Sequence, residues 1–392
     1  MIPPGADTVI VRYGELYTKG GAVRERMEER LLAHVEALLS TRGVEYEVER
    51  RWTRPLVRTT PGAVADAAET ASEAFGVVST SAAASVPSQM DAVLDSLART
   101  ARAVYDSGTF AVEARRSCED LPFTSEDVQE EGGAAVWDAV ADAFEPAVDL
   151  EDPDVTFFVE CRADETFVFL EKCDGPGGLP FGSQDRLVSL FSGGIDSPVA
   201  TYEAMRRGSP VVPVYVDLGD YGGPDHRARA VEAARRIAGV VPHDDGSLYR
   251  VPAGKSVAAI ADELDRGRML ALRRYMFAAA ERIARRVDAS GIVTGESVGQ
   301  KSSQTARNLR LTSAATDLPV HRPLLTVDKD EITRRARRIG TFEEAAIPAG
   351  CNRIVPPRPE TNGRLERLRE VEPDDLLERA RADAADAEVI EL

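Results

Sequence analysis

Residues 187–198 constrain this chain more than any other stretch. Leu187-Val188-Ser189-Leu190-Phe191 is an apolar run of strand length, and Ser192-Gly193-Gly194-Ile195-Asp196-Ser197-Pro198 follows without a gap. Pro198 suits the first turn of a helix, so the pattern reads strand, tight loop, helix. Two glycines let the backbone curl and expose its amides. Those amides and the helix N-terminus behind them form an anion site. Ser192 and Ser197 add hydroxyls that can donate to the same phosphate. Asp196 would repel a phosphate unless it holds Mg²⁺ or orients a donor. The string is neither a Walker A loop nor a dinucleotide fingerprint.

The 392 residues are long enough for two to four domains. No apolar run reaches the ~18 residues of a membrane helix. The start, Met1-Ile2-Pro3-Pro4-Gly5, has neither a basic patch nor an apolar signal core, so a cytoplasmic location is expected. The four cysteines (Cys118, Cys161, Cys173 and Cys351) are too scattered for a disulfide framework or a metal site. The net charge is −18, and only five of the 48 basic residues are lysine. That balance fits a cytosol of very high salt, where carboxylates hold hydration; a GC-rich genome gives the same arginine bias. The charge is uneven. Residues 1–182 carry −18, residues 183–356 carry +5 and residues 357–392 carry −5. A basic block inside an acidic chain keeps nucleic acid open as a partner.

Strand and helix spacing divide the chain into four stretches. Residues 1–60 read as a small α+β unit: a strand at 8–12, an amphipathic helix at 22–41 and a strand at 44–48. Residues 61–172 carry three helical stretches, a strand at 110–116 and a hairpin at 155–170. A Gly/Pro-rich linker, 173–183, opens the third stretch, 173–360, where strands (187–191, 211–216, 292–294) alternate with helices (198–207, 227–238, 257–264, 269–287, 328–339). Such alternation makes a doubly wound parallel sheet with ligands at the carboxyl ends of its strands. Residues 361–392 read as an acidic helix or tail.

The string Ser-Gly-Gly-Ile-Asp-Ser matches the pyrophosphatase loop of enzymes that cleave ATP between its α and β phosphates. Other strings join it: Gly177-Gly178-Leu179-Pro180-Phe181-Gly182, Thr294-Gly295-Glu296-Ser297 running to Ser303-Gln304-Thr305, Arg12-Tyr13-Gly14-Glu15 with Lys19-Gly20, and Arg322-Pro323-Leu324 with Asp328-Lys329. Over residues 8–360 the chain resembles the tRNA 4-thiouridine synthetases, or tRNA sulfurtransferases, of a haloarchaeal type without a rhodanese domain. The resemblance implies an N-terminal ferredoxin-like α+β domain, a THUMP RNA-binding α/β domain and a doubly wound pyrophosphatase domain. It implies a reaction that adenylates uridine-8 of tRNA at O4, converts ATP to AMP and pyrophosphate, and replaces the oxygen with sulfur. ATP and Mg²⁺ are the implied cofactors. Implied partners are tRNA, a sulfur donor (sulfide or a persulfide carrier) and, in some relatives, a sulfur-carrier protein for thiamine synthesis; relatives are often homodimers.

Residue by residue, the resemblance assigns the nucleotide to Leu190, Phe191, Ser192, Gly193, Gly194, Asp196, Ser197, Tyr215, Val216, Arg273, Gly295 and Gln304. Without it, Tyr215 and Val216 read equally as core strand, and Arg273 as a solvated helix face. Asp196 is the essential carboxylate. Lys329, rare in an arginine-rich chain, offers a compact ammonium to the leaving pyrophosphate. Cys351 corresponds to the cysteine that handles persulfide sulfur in some relatives, with Cys173 second. Iron–sulfur relatives carry a C-x-x-C where this chain has Met269-Leu270-Ala271-Leu272, and scattered thiols cannot replace it. Either sulfur source therefore stays open. Arg115 and Arg116 are the expected RNA phosphate contacts. At molar salt the Debye length is ~3 Å, so RNA binding leans on shape and direct hydrogen bonds. Two other readings remain: a different pyrophosphatase-loop ligase, and a non-catalytic tRNA-binding protein.

Overall fold

The computed structural model describes residues 1–50, 54–241, 246–343 and 354–392. The chain forms two compact units, Met1–Gly178 and Leu179–Leu392. No helix among the described residues is long and apolar enough to cross a membrane.

The first unit is built on one continuous sheet. Its strands are β1 (Thr8–Tyr13), β2 (Glu47–Glu49), β3 (Leu56–Arg58), β4 (Val77–Pro87), β5 (Thr109–Arg116), β6 (Ala147–Val148), β7 (Val155–Cys161), β8 (Glu165–Phe169) and β9 (Cys173–Asp174). They run in the order β2-β3-β1-β4-β8-β7-β5-β6, with β9 on β4. Alternation along the strands sorts residues between faces. Val9, Val11 and Val57 pack under α1 (Gly21–Thr41) and α2 (Val64–Ser72). Phe110, Val112, Phe157 and Val159 pack under α3 (Met90–Val104) and α4 (Ser125–Val140). Ile10, Leu56, Phe167 and Phe169 form a separate cluster on the other face.

Two boundaries differ from the sequence reading. Val64, Ala67 and Ala71 of α2 share a core with Leu31 and Val35 of α1. Residues 61–72 thus belong with the first subdomain, and a border at residue 60 cuts through its core. The linker also starts later than 173: Cys173 pairs with Thr80 across β9 and β4. Gly175 lies against β4 so closely that a Cβ would stand 2.3 Å from the Val77 carbonyl oxygen.

The second unit has the sheet order β14-β13-β10-β11-β12-β15. Its strands are β10 (Leu187–Phe191), β11 (Val211–Asp217), β12 (Ser247–Pro252), β13 (Ile292–Thr294), β14 (Val320–His321) and β15 (Glu388–Glu391). All pairs are parallel except β12 with β15. Because β11 and β13 flank β10, the strand order reverses between β10 and β13, the switch point at which such sheets bind ligands. One face carries α7 (Gly254–Glu263), α8 (Arg268–Arg286) and the helix Leu376–Ala385 over Val188, Val214 and Val251. The other carries α5 (Asp196–Arg206) and α10 (Lys329–Arg338) over Leu187 and Val293. The helix α6 (Pro224–Ala238) follows β11, and α9 (Ala306–Ser313) precedes β14.

Residues 361–392 are an integral part of this unit rather than a tail. Leu376, Ala380 and Ala384 recur every fourth residue and bury one stripe of an otherwise charged helix. Tyr275 and Ser256 both donate to Asp383 Oδ2 at 2.5 Å, and burial pushes the Tyr275 hydroxyl well above its usual range. Arg274, 1% exposed, makes a bidentate pair with Glu372 at 2.9 and 3.0 Å. Removing one partner of such a pair leaves a buried, uncompensated charge, at a cost of about 3–5 kcal/mol. Glu372→Ala is therefore expected to lower the urea midpoint of this unit clearly at fixed KCl. An unchanged midpoint would remove the pair from the forces that hold the C-terminal segment.

Candidate functional site

Strand β10 delivers the chain to the sheet's carboxyl edge, and the Ser-Gly-Gly loop turns it into α5. Ser197 closes this loop internally. Its Oγ accepts from the Ser192 amide at 2.9 Å and donates to the Ser192 carbonyl at 3.1 Å. Ser197 also lines the cavity, so the hydroxyl that closes the turn borders the space expected to hold a phosphate. Gly193 is turned toward α6. Arg229, itself buried, donates to the Gly193 carbonyl at 2.6 Å, and a Cβ on Gly193 would stand 2.7 Å from the Arg229 Cβ.

A cavity of about 320 Å³ opens beside the loop. Leu190, Phe191, Tyr215, Val216, Leu272 and Met276 line its apolar side. Its polar side is lined by Ser192, Gly194, Asp196, Arg273, Gly295 and Gln304, together with Gln300 and Lys301. The nucleotide residues expected from sequence thus converge on one space, except Gly193, which supports the loop from behind. At the mouth, Asp196 begins α5 and Lys329 begins α10. Lys329 Nζ donates to Asp196 Oδ1 at 2.7 Å, and Gln300 Nε2 donates to the same oxygen at 3.3 Å.

Arg273 is half-buried and held by partners rather than lying on a solvated helix face. Its Nη1 donates to Glu296 at 2.5 Å and its Nε to Ser303 at 3.1 Å. The donors and acceptors around the Gln304 amide are satisfied only with its oxygen toward Arg273 and its nitrogen toward Ser297; in that orientation it donates to the Ser297 carbonyl at 3.0 Å and accepts from Arg273 Nη2 at 3.1 Å. Tyr215 OH and His226 Nδ1 lie 2.9 Å apart. Burial, with the Arg229 charge beside it, holds His226 below the usual imidazole range and so neutral.

Sequence reasoning missed His226, Arg229, Gln300, Lys301 and a structural role for Glu296. The first two come from the helix after the neighbouring strand, and no local pattern marks them. Among the described residues, no group of three or more acidic, histidine or cysteine side chains forms a metal cage. Cys351 lies outside the described residues. Cys161 is buried in β7, and burial raises its thiol pKa; Cys118 and Cys173 are half-buried and free.

On the first unit, Arg115 and Arg116 are successive strand residues and point to opposite faces. Arg116 donates to the carbonyls of Leu121 and Phe123 at 3.4 and 2.9 Å and braces the turn before α4. Arg115 lies with Arg12, Arg54, Lys172 and the stacked Phe158–Phe169 pair around a small depression. Burial lowers the Arg12 guanidinium to about 10, against the pull of Glu160.

The family model described as Thiamine biosynthesis protein (ThiI) matches residues 182–376, the THUMP domain model residues 88–171 and the ThiI ferredoxin-like domain model residues 8–81. A protein of Halobacterium salinarum named "Probable tRNA sulfurtransferase" is 54% identical over 393 residues, covering 100% of this chain and 99% of that one. A protein of Methanosarcina acetivorans with the same name is 38% identical over 364 residues, covering 92% of this chain and 87% of its own length. Among solved structures, the crystal structure of a 4-thiouridine synthetase–RNA complex with bound ATP matches with a TM-score of 0.85 at 27% identity, covering 98% of this chain and 99% of that one. With the three domain matches laid along one polypeptide and relatives alike over its whole length, the chain belongs to the tRNA sulfurtransferase family.

Proposed function

We propose that this protein uses ATP to activate uridine-8 of cytoplasmic tRNA and exchanges its O4 for sulfur, giving 4-thiouridine. The observation that carries the reading is the Asp196–Lys329 pair at the mouth of a cavity that joins a Ser-Gly-Gly loop to an apolar slot. The slot formed by Leu190, Phe191, Tyr215 and Val216 suits adenine, and the loop amides suit the phosphates. Uracil O4 attacks the α-phosphorus, and the bond to pyrophosphate breaks. Lys329 stabilises the charge that develops on the leaving pyrophosphate. A sulfur nucleophile then adds at C4 and AMP leaves with the former O4.

Mg²⁺ fits this site in a limited way. One oxygen of Asp196 is engaged by Lys329 and Gln300, and the other is left as a single carboxylate ligand. That suits an ion held mainly by substrate phosphates and water. Such an ion would neutralise phosphate charge.

On the RNA side, Arg115 with Arg12, Arg54 and Lys172 offers phosphate contacts. Sulfur comes either from sulfide, which adds at C4 directly without Cys351, or from a persulfide carrier, whose outer sulfur Cys351 takes by thiol–persulfide exchange; on that second route another thiol cleaves the S–S bond after the sulfur has added at C4, and the disulfide it leaves is reopened by an external thiol reductant. The family model's description names thiamine biosynthesis, and the same site is proposed to serve a sulfur-carrier protein there, with the enzyme acting as a homodimer.

The test is the thionucleoside absorbance of bulk tRNA. Deleting the gene is expected to abolish 4-thiouridine, and the wild-type gene to restore it. Unchanged 4-thiouridine overturns the function. In the same strain Cys351→Ser is expected to fail to restore it; full restoration would mean that sulfide attacks the adenylate directly.

A further inference from the structure

Glu296 is the one buried carboxylate that lines the cavity, at 1% exposure among the described residues. Both its oxygens are occupied. Oε1 accepts from Arg273 Nη1 at 2.5 Å, and Oε2 accepts from Arg322 Nε at 2.9 Å. These donors come from different elements. Arg273 is on α8, Glu296 stands two residues past the end of β13, and Arg322 directly follows β14. One side chain thus joins three pieces of the second unit at the sheet's switch point.

The two arginines are not equivalent. Arg273 lines the cavity, and each of its three nitrogens is anchored, to Ser303, Glu296 and Gln304. A guanidinium carries five N–H groups. Three are therefore spent on fixing its plane and two remain for a ligand. Arg322 stands behind, 14% exposed, with Nη2 donating to Ser313 at 2.7 Å, and it does not line the cavity. Two guanidiniums about one carboxylate leave a net charge of +1. Without the carboxylate, two poorly solvated like charges would face each other across a few ångströms.

This chemistry excludes other roles for Glu296. An arginine cannot be deprotonated at neutral pH. A carboxylate with both oxygens on arginines is therefore neither an available metal ligand nor a proton acceptor. Asp196 differs, since Lys329 and Gln300 share one oxygen and leave the other.

We propose that Glu296 is a positioning residue: it fixes Arg273 at the polar side of the cavity, so that the free N–H groups meet the phosphate being transferred. The inference rests on the functional reading above. Arg322 is the counterweight that keeps Glu296 ionised and aimed while contributing no contact to the ligand.

The test measures kcat and KM for ATP in tRNA-dependent AMP formation, with thermal melting alongside, for the full-length wild type, Glu296→Gln, Glu296→Asp and the double variant Glu296→Gln/Arg322→Gln. Glu296→Gln is expected to lower kcat about 10²-fold, the scale for a lost transition-state donor, with KM for ATP changed less than about threefold. The double variant removes the excess positive charge as well. It is expected to recover melting temperature but not kcat, because Arg273 has lost its one charged anchor and keeps only the neutral partners Ser303 and Gln304. Glu296→Asp keeps the charge but reaches only one arginine, so it is expected to melt near wild type with kcat lowered about tenfold. If kcat returns together with melting in the double variant, Glu296 is only a staple and the proposal is overturned. A rise in KM at unchanged kcat, or full kcat in Glu296→Asp, overturns it as well. An active wild type with an equally active Glu296→Gln sinks this role alone. A wild type that forms no AMP with tRNA sinks the functional reading and this role with it.

Discussion

Asp196→Asn is expected to lower kcat for tRNA-dependent AMP formation about 10²–10³-fold, equivalent to about 2.7–4 kcal/mol of transition-state stabilisation. Asparagine preserves the shape and can still accept a hydrogen bond from Lys329. It lacks the charge that holds the ammonium 2.7 Å away, and its second polar atom becomes a donor that faces the phosphates. Stability should barely change. Asp196 and Lys329 side chains are 28% and 47% exposed, and pairs this exposed contribute about 0–1 kcal/mol. The two effects therefore separate: pyrophosphate release collapses while the melting curve stays in place. Lys329→Met should resemble it. The double variant should be no worse than the weaker single one, because the pair acts as a unit. Near-wild-type release from Asp196→Asn would leave the pair as a surface ion pair and nothing more.

Much of the second unit could be read from residue order because its information is local. The β10 strand and the helix after the loop follow from apolar runs and Pro198, and the parallel sheet follows from alternation. What could not be read is non-local. Strand β12 (Ser-Leu-Tyr-Arg-Val-Pro) looks polar because its neighbours bury only part of it, and β15 is a charged edge that gains strand identity by pairing with β12. The first unit conceals its continuity in the same way. Strand β4 is a run of Ala and Ser without alternating hydrophobics, yet it joins β1 to β8. In the site, the clustering of cavity residues was accessible from the family pattern, but who holds whom was not. Arg229 reaches the loop from 36 residues away and Lys329 reaches Asp196 from 133. The divergence of Arg115 and Arg116 was legible, since strand alternation alone puts neighbours on opposite faces.

The glycines give the second large effect, through sterics rather than exposed amides. A Cβ on Gly295 would stand 2.7 Å from the Asp196 carbonyl carbon and 2.8 Å from both the Asp196 oxygen and the Ser197 nitrogen. All three are backbone atoms, so no rotamer change relieves the clash. Gly295→Ala must push the end of β13 away from the first turn of α5. Overpacking of this kind costs about 1–3 kcal/mol, and displacing Asp196 from Lys329 by about 1 Å costs about 10²-fold in turnover. Gly295→Ala is thus expected to melt several degrees lower and to lose about 10²-fold in kcat. Gly193→Ala should come next in stability loss, since its Cβ meets the Arg229 Cβ at 2.7 Å and the His226 carbonyl at 3.1 Å. Gly194→Ala is the control. Its Cβ would meet only Ser192 Oγ at 3.5 Å, an ordinary contact, so melting should be unchanged even where the added methyl crowds the cavity. Equal melting of all three would mean that the loop can retreat from β13 and α6 at no cost. Its amides would then be aligned by the ligand on binding rather than held in place beforehand.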